Sequence, residues 1–416
     1  MNSASVEPIS SFIRANARWL TAGGVLTLSS CFGQTFFISI FAGEIRGEFG
    51  LSHGEWGGIY TIGTLASALL MLWAGGLTDR FRIRNLAPIV LIGLACVCAI
   101  MAAVPGAWAL PFVIFGLRFC GQGMLSHTAS VGLGRWFKRS RGRANALIHI
   151  GFLSGESILP FVFVILMGII GWRGSWALAA LLTLLYIPFI RALLSTERHP
   201  KGEVEDLEQA GMFGRHWTRK EALSHWLFWI AALAVASPST FGTAYFFQQV
   251  HLTEIKGWEL TSFVALIPLY SAASLGSTFF FGALSDRIGT GRIVPIAMIP
   301  PAIAFALASQ GETLFAAALA FICIGLMQGA MSTFSGAFWP EYYGTQHLGS
   351  VRAVAASVMV FGSAIGPGIT GYLIDLGVDY RVQLLAMSAY FIVLAIILLI
   401  AFQKARQYLP HSQLSK

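Results

Sequence analysis

The sequence predicts an all-α membrane protein of twelve transmembrane helices arranged as two pseudo-symmetric six-helix bundles. Three observations predict it. The first is composition: 56% of the 416 residues are hydrophobic and 11% charged, with a mean hydropathy of +0.70, which is too apolar for a soluble globule. The second is a series of apolar stretches, each long enough to cross a hydrocarbon core of roughly 30 Å as a helix. The third is duplication. Gly75, Leu77, Asp79 and Arg80 recur 207 positions later as Gly282, Leu284, Asp286 and Arg287, and the same shift carries Gly142, Gly155 and Pro160 onto Gly349, Gly362 and Pro367.

The apolar stretches begin near Leu20, Gly54, Leu86, Trp108, Arg143 and Gly174, and again near Trp226, Glu259, Arg292, Thr313, Ser350 and Gln383. Shifting each first-half start by the repeat length lands beside its second-half counterpart, so the duplication stands without the motifs. The spans divide the chain into an N-terminal bundle (1–194), a central loop (195–224), a C-terminal bundle (225–403) and a tail (404–416). The central loop carries Pro200, Gly202 and an acidic cluster of Glu203, Glu205, Asp206 and Glu208. Within it, Thr218 to Trp226 reads as a short amphipathic helix on the membrane surface, because Trp217 and Trp226 favour the interface and Arg219 and Lys220 the headgroups.

Orientation follows from the basic residues, since loops rich in lysine and arginine stay cytoplasmic. With both termini inside, 22 of the 27 basic residues face the cytoplasm; Arg46, Arg173, Lys256 and Arg381 lie outside, and Arg118 sits within a span. The net charge of +8 is thus a topology signal and implies no nucleic-acid partner. No stretch near the start reads as a cleaved leader, so the first span is expected to remain. The expected location is the bacterial inner (plasma) membrane, as a multi-pass monomer. All five cysteines fall in apolar spans, where thiols behave as small hydrophobes, and no disulfide framework is implied.

The duplicated loops read Gly75-Gly-Leu-Thr-Asp79-Arg80-Phe-Arg82 and Gly282-Ala-Leu-Ser-Asp286-Arg287-Ile-Gly289. They resemble the loop signature of the major facilitator superfamily, and Arg118-Phe-Cys-Gly121-Gln122-Gly123 in the fourth span is similar to its arginine-glycine motif. The resemblance covers nearly the whole chain and implies the major facilitator fold. The run from Arg135 to Ala144, followed by Gly151, Gly155, Pro160 and Gly171-Trp172-Arg173, is similar to the monocarboxylate transporter and oxalate/formate exchanger branch. Two positions depart from that branch: the eighth span has Ser274 and Thr278 where an anion-pairing arginine and its partner are expected, and the first has Gln34 and no lysine.

Asp79 can accept hydrogen bonds from the N-terminus of a facing helix, where the dipole favours negative charge. The resemblance implies that Gly75, Asp79 and Arg80, with Gly282, Asp286 and Arg287, form a cytoplasmic gating latch. Arg82 and Arg84 read as plain topology markers. Gly155 with Pro160, and Gly362 with Pro367, are candidate hinges in the fifth and eleventh spans, although each glycine singly reads as close packing.

Charges at membrane depth are costly and are functional candidates by default. Glu156 is the one acidic residue deep inside a predicted span, and Arg118 the one comparably deep base. Their distances from the same loop put them at matching depth, where they could pair across neighbouring helices. Asn145, His149, Glu156 and Pro160 fall on one helical face. Either His149 or Glu156 could carry a proton linked to solute movement; the alternative is that Glu156 neutralises Arg118 and His149 packs. His127 falls on the side of its helix opposite Arg118 and reads as packing. In the second half, Tyr270, Ser274 and Thr278 step along one face and Gln328, Ser332 and Ser335 along another, either to orient a solute or to bond between helices.

Two embedded halves rocking about a midplane site are a common design for moving a small solute across a bilayer. The expected function is secondary active transport of a small organic anion, such as a monocarboxylate, by alternating access. Protons are a candidate coupling ion. Arg118, Glu156, His149, Gln34, Gln122, Asn145, Tyr270, Ser274, Thr278 and Gln328 are the candidate site. The partners implied are a small-molecule substrate and the lipid bilayer. The same fold would also serve an exporter of amphipathic drugs or metabolites, and a transporter-like receptor or scaffold is the alternative of another class. No nucleotide-binding loop, metal-ligand set or nucleophile-base grouping is legible, so no cofactor, metal or enzymatic activity is expected.

Overall fold

The computed structural model describes residues 9–137, 141–196 and 210–409, and these contain helices and turns with no strand. The spans are α1 (Ile9–Ser30), α2 (His53–Ala74), α3 (Ile83–Ala102) and α4, which runs as Leu110–Leu117, Arg118–Leu125 and Ser126–Trp136. The next helix, Arg141–Leu193, has 53 residues. At ~1.5 Å per residue it would extend ~80 Å, more than two hydrocarbon thicknesses. Gly171, at φ 71° and ψ 170°, breaks it into α5 before and α6 after. Only glycine adopts that conformation readily.

The second half contains α7 (Trp226–Phe247), α8 (Ile267–Ile288), α9 (Thr290–Ala297, resuming as Ile299–Gln310), α10 (Leu314–Tyr343), α11 (Leu348–Asp375) and α12 (Tyr380–Arg406). Ten of the described helices are long and apolar enough to cross a membrane, and a pair bent by 49°, Ser10–Gly33 with Thr35–Phe49, forms one more. With the Gly171 break making two spans of one, the twelve expected spans are present. Large apolar side chains such as Leu72 (76% exposed), Phe112 (71%) and Ile169 (73%) lie outermost, a surface that only lipid would solvate well.

The chain forms two compact units. The first comprises 1–38 and 66–205, the second 39–65 and 206–416. The boundary therefore falls inside the first and second spans, where sequence reading placed residues 39–65 with the N-terminal bundle. The second unit's hydrogen bonds give the reason. Ser39 Oγ donates to the Phe246 carbonyl (2.8 Å), Gln249 Nε2 donates to Ser39 Oγ (2.8 Å), and Thr61 Oγ1 donates to the Ala364 carbonyl (2.8 Å).

In the first unit, α5 lies against α1 so closely that a Cβ on Gly151 would sit 2.0 Å from the Gly24 carbonyl oxygen. Arg173 at the start of α6 donates to the Ala102 and Val104 carbonyls at the end of α3, both at 2.9 Å. Arg18 of α1 reaches the last carbonyls of α6, at Ala192 and Leu193, where a cation complements the helix dipole.

In the second unit, Gly325 and Gly329 of α10 bring the backbone of α8 into contact, with virtual Cβ distances of 2.4 and 2.2 Å to the Tyr270 and Ser274 oxygens. Gly362 and Gly366 of α11 likewise make room for Thr240 of α7, the first for its hydroxyl and the second for its carbonyl. The repeat is visible here too: the short helices Ala42–Phe49 and Gln249–Lys256 begin 207 positions apart and end on Gly50 and Gly257, at φ 64° and 65°. A short helix, Arg219–Ser224, forms in the expected surface segment, held by a capping box between Thr218 and Glu221. Before it, Phe213 N donates to the Tyr408 carbonyl (2.8 Å) and Trp217 N to the Tyr343 carbonyl (3.0 Å), which ties this part of the central segment to the second unit.

Candidate functional site

The site is organised by an interruption in the first span. Residues Cys31–Gly33 form a 3-10 turn and Gln34 is extended at φ −90° and ψ 154°, so helix hydrogen bonding lapses before Thr35. Backbone polar groups freed in this way need partners at membrane depth. One comes from α4. Arg118, 1% exposed, donates from Nη1 to the Gly33 carbonyl (3.2 Å) and lies 3.4 Å from Thr35 Oγ1.

Two glycines make that approach possible. A Cβ on Gly33 would lie 2.1 Å from the Leu117 carbonyl oxygen, and a Cβ on Gly121 would lie 2.7 Å from Gly33 Cα. The arginine-glycine motif thus has a local physical reading: Gly121 lets α4 touch the interruption, and Arg118, one turn earlier, caps it. Arg118–Leu125 is wound as a π-helix, a geometry frequent at functional sites.

Glu156 of α5, 4% exposed, reaches the same interruption from another side. Gly155 fits against Cys31, whose Sγ lies 2.6 Å from a virtual Cβ there, and Cys31 Sγ lies 3.5 Å from the Phe152 carbonyl. Glu156 is within electrostatic reach of the Cys31 thiol. Below them, Phe32, Phe37, Phe163 and Trp176 stack edge to face, with centroids 4.9–5.9 Å apart. A groove of about 310 Å³ opens between α1 and α5, lined by Thr21, Gly24, Leu28, Ile150, Gly151 and Ser154 among others.

The remaining candidates do not all converge. Gln34 and Gln122 are half-buried at the interruption and in the π-helix, and Asn145 is half-buried. His149 is exposed, stacked parallel on Phe152 at 5.2 Å, whereas Glu156 on the same helical stripe is buried. Thr278 Oγ1 donates to the Ser274 carbonyl within its own helix (2.9 Å), while Tyr270 packs edge to face on Phe246. Tyr270 and Ser274 are buried where α8 meets the glycine stripe of α10, and Gln328 is exposed. His127 Nε2 lies 3.1 Å from the Gly75 carbonyl and 3.4 Å from Thr78 Oγ1, so it packs the repeated loop onto α4.

Of the latch residues, the side chains of Asp79 and Asp286 lie outside the described ones, and Arg80 and Arg287 are exposed. Gly75 is crowded by Met71 and His127, whereas nothing approaches Gly282 within 4 Å. The glycines of the hinge pairs, Gly155 and Gly362, are close packing contacts, and Pro160 and Pro367 lie within continuous helix.

Sequence reading missed a polar cluster at the end of the second unit remote from the repeated loops. Arg46 Nη1 lies 2.8 Å from His53 Nε2, His53 packs on His251 at 4.3 Å, and Glu254 lies 3.7 Å from His251 and 4.0 Å from Arg46. Asp375 caps the start of α2 through Ser52, His53 and Gly54. The hydrogen bond from His251 and the Arg46 charge hold the Glu254 carboxyl below its usual range. The signal was available: the two short helices that carry Arg46 and Glu254 are themselves a repeat pair.

The family model of the Major Facilitator Superfamily matches residues 24–367 and 266–412. The chain belongs to the major facilitator superfamily. It is accordingly a multi-pass membrane transporter of the secondary kind, from a family of transporters and not of enzymes. It is 23% identical over 279 residues to the probable sulfoacetate transporter SauU of Cupriavidus necator, a match spanning 60% of each chain. It is 22% identical to the MFS-type transporter YhjX of Escherichia coli K12, over 80% of this chain and 82% of that one.

Among solved structures, a bacterial homolog of the human lysosomal transporter Spinster, inward-facing and unoccupied, aligns with a TM-score of 0.67 at 17% identity. That alignment covers 97% of this chain and 98% of the other. The nucleoside transporter NupG aligns with a TM-score of 0.68 at 13% identity, covering 93% and 98%. At these identities the structural likenesses establish the superfamily fold alone.

Proposed function

We propose that the protein moves a small organic anion across the bacterial inner membrane by alternating access, with both termini cytoplasmic. Arg118 is the anion anchor and Glu156 the proton carrier. The observation that carries this reading is the burial of Arg118 at the interrupted first span. A guanidinium kept at membrane depth is costly unless it has a task, and a fork of donors suits a carboxylate or sulfonate. The likeness to a probable sulfoacetate transporter supports the same class of solute. Burial also favours Glu156 over His149 for the proton, because a carboxyl shielded from water is the more responsive to a neighbouring charge.

A thermal-shift screen of the purified protein tests the solute class. Short carboxylates and sulfonates are expected to raise the unfolding temperature, by the equivalent of about 2.7 kcal/mol at a hundred times Kd. Arg118→Gln is expected to abolish that rise. A rise with nucleosides or amphipathic cations and none with anions would contradict the reading.

A further inference from the structure

We propose that the Arg46–His53–His251–Glu254 cluster is a proton-binding site, separate from Arg118 and Glu156, in which His53 takes the proton and thereby releases the start of α2 from the short helix that carries Arg46. The argument begins with donors and acceptors. Arginine has only donors, so His53 Nε2, 2.8 Å from Arg46 Nη1, must accept with its lone pair. In this arrangement His53 is therefore neutral.

Every element packed around it contributes a charged or titratable group. Arg46 comes from Ala42–Phe49, and His251 and Glu254 from Gln249–Lys256. Asp375 comes from the end of α11, and Tyr380 of α12 lies 6.0 Å from the His251 ring. Glu55, one turn into α2, is occupied with the Ser52 amide. Arg46 and His251 are largely shielded, at 15% and 16% side-chain exposure. A proton on Nε2 removes the acceptor and sets an imidazolium against a guanidinium, with the Glu254 and Asp375 carboxylates near enough to both to offset part of the repulsion.

That contact clasps the start of α2. Asp375 accepts from Ser52 Oγ (2.7 Å), His53 N (3.1 Å) and Gly54 N (2.8 Å). Its neighbours leave no slack, since a Cβ on Gly57 would lie 2.6 Å from the Pro367 carbonyl oxygen and one on Gly371 would lie 2.3 Å from that of His53. The clasped form needs His53 deprotonated, whereas the released form does not. The clasp is therefore favoured at high pH and lost as pH falls through the ordinary imidazole range. If a released His53 titrates near 6.5, lowering pH from 7.5 to 5.5 favours release about tenfold.

Hydrogen-deuterium exchange of the full-length protein in detergent reads this without any solute, so its outcome is independent of the Arg118 proposal. After correction for intrinsic rates, protection of the amides at 53–56 is expected to fall about tenfold between pH 7.5 and 5.5. Carboxylates ordinarily titrate near 4 and are silent in that window. His53→Gln keeps an acceptor for Arg46 but takes no proton, and should lose the pH dependence. His251→Gln should keep it. Asp375→Asn should lower protection equally at both pH values. Constant protection in the unaltered protein would overturn the proposal, as would a drop that survives His53→Gln or disappears in His251→Gln.

Discussion

Ser39 donates its hydroxyl to the backbone carbonyl of Phe246, its own counterpart 207 positions along the repeat. Gln249, which opens the short helix that repeats Ala42–Phe49, donates in turn to Ser39. Two copies of one element thus meet through a hydrogen-bonded pair with both side chains at 0% exposure. That junction is why the second unit contains a piece of the first half of the sequence.

Removing the hydroxyl should loosen this junction. Ser39→Ala leaves the Gln249 amide without its Ser39 acceptor in a dry environment, at a cost of about 1–3 kcal/mol. Thermal unfolding in detergent is the check. An unchanged midpoint would mean the junction contributes nothing to the fold.

The contact at the interrupted span makes a sharper contrast. A methyl on Gly121 or Gly33 would collide with backbone, so Gly121→Ala or Gly33→Ala should destabilise by about 1–3 kcal/mol or more. Gly168, on α5 in the same unit, has nothing within 4 Å of a virtual Cβ. Gly168→Ala should be neutral or stabilising by up to about 1 kcal/mol. Equal unfolding temperatures for the three variants would contradict the packing described.

The fold was legible because its signals are redundant. Composition points to a membrane protein, span spacing and the duplicated loops to twelve helices in two halves, and the Gly151 and Gly155 pattern became the α1–α5 contact. The burial of the candidate residues was legible in part. Depth arithmetic selected Arg118 and Glu156, but heptad spacing could not show that His149 would be exposed on Phe152 while Glu156 was buried. Periodicity gives an angle around one helix and says nothing about what lies opposite. The interruption at Gln34 was invisible for the same reason, since no proline marks it and the glycine crossing with α4 that accompanies it joins residues far apart in sequence. The Arg46–His53–His251–Glu254 cluster escaped because its two halves lie some two hundred residues apart: the repeat relates the helices that carry Arg46 and Glu254, but only the fold brings His53 and His251 together.

The Glu254 carboxyl supplies an acid-side check. Its folded pKa is depressed, chiefly by the His251 hydrogen bond, so its contribution to stability is present above its unfolded value and is lost as pH falls through the folded one. Glu254→Gln should therefore flatten stability against pH only below about 4.3. Urea unfolding between pH 3 and 6 would show it, and a change confined to the region above pH 5 would contradict the assignment.

Coupling should separate Glu156 from His149. Glu156→Gln is expected to abolish solute accumulation driven by a pH gradient while keeping solute exchange, and His149→Gln is expected to keep both. Loss of gradient-driven uptake in His149→Gln alone would transfer the proton to the exposed ring.

The most direct test of the central claim is flux in proteoliposomes holding a short carboxylate or sulfonate identified by binding. The unaltered protein should accumulate the anion under an inward pH gradient, and Arg118→Ala should reduce the rate by at least about a hundredfold, the loss of a charge-assisted anchor worth about 3 kcal/mol. Uptake at the original rate in Arg118→Ala would contradict the account.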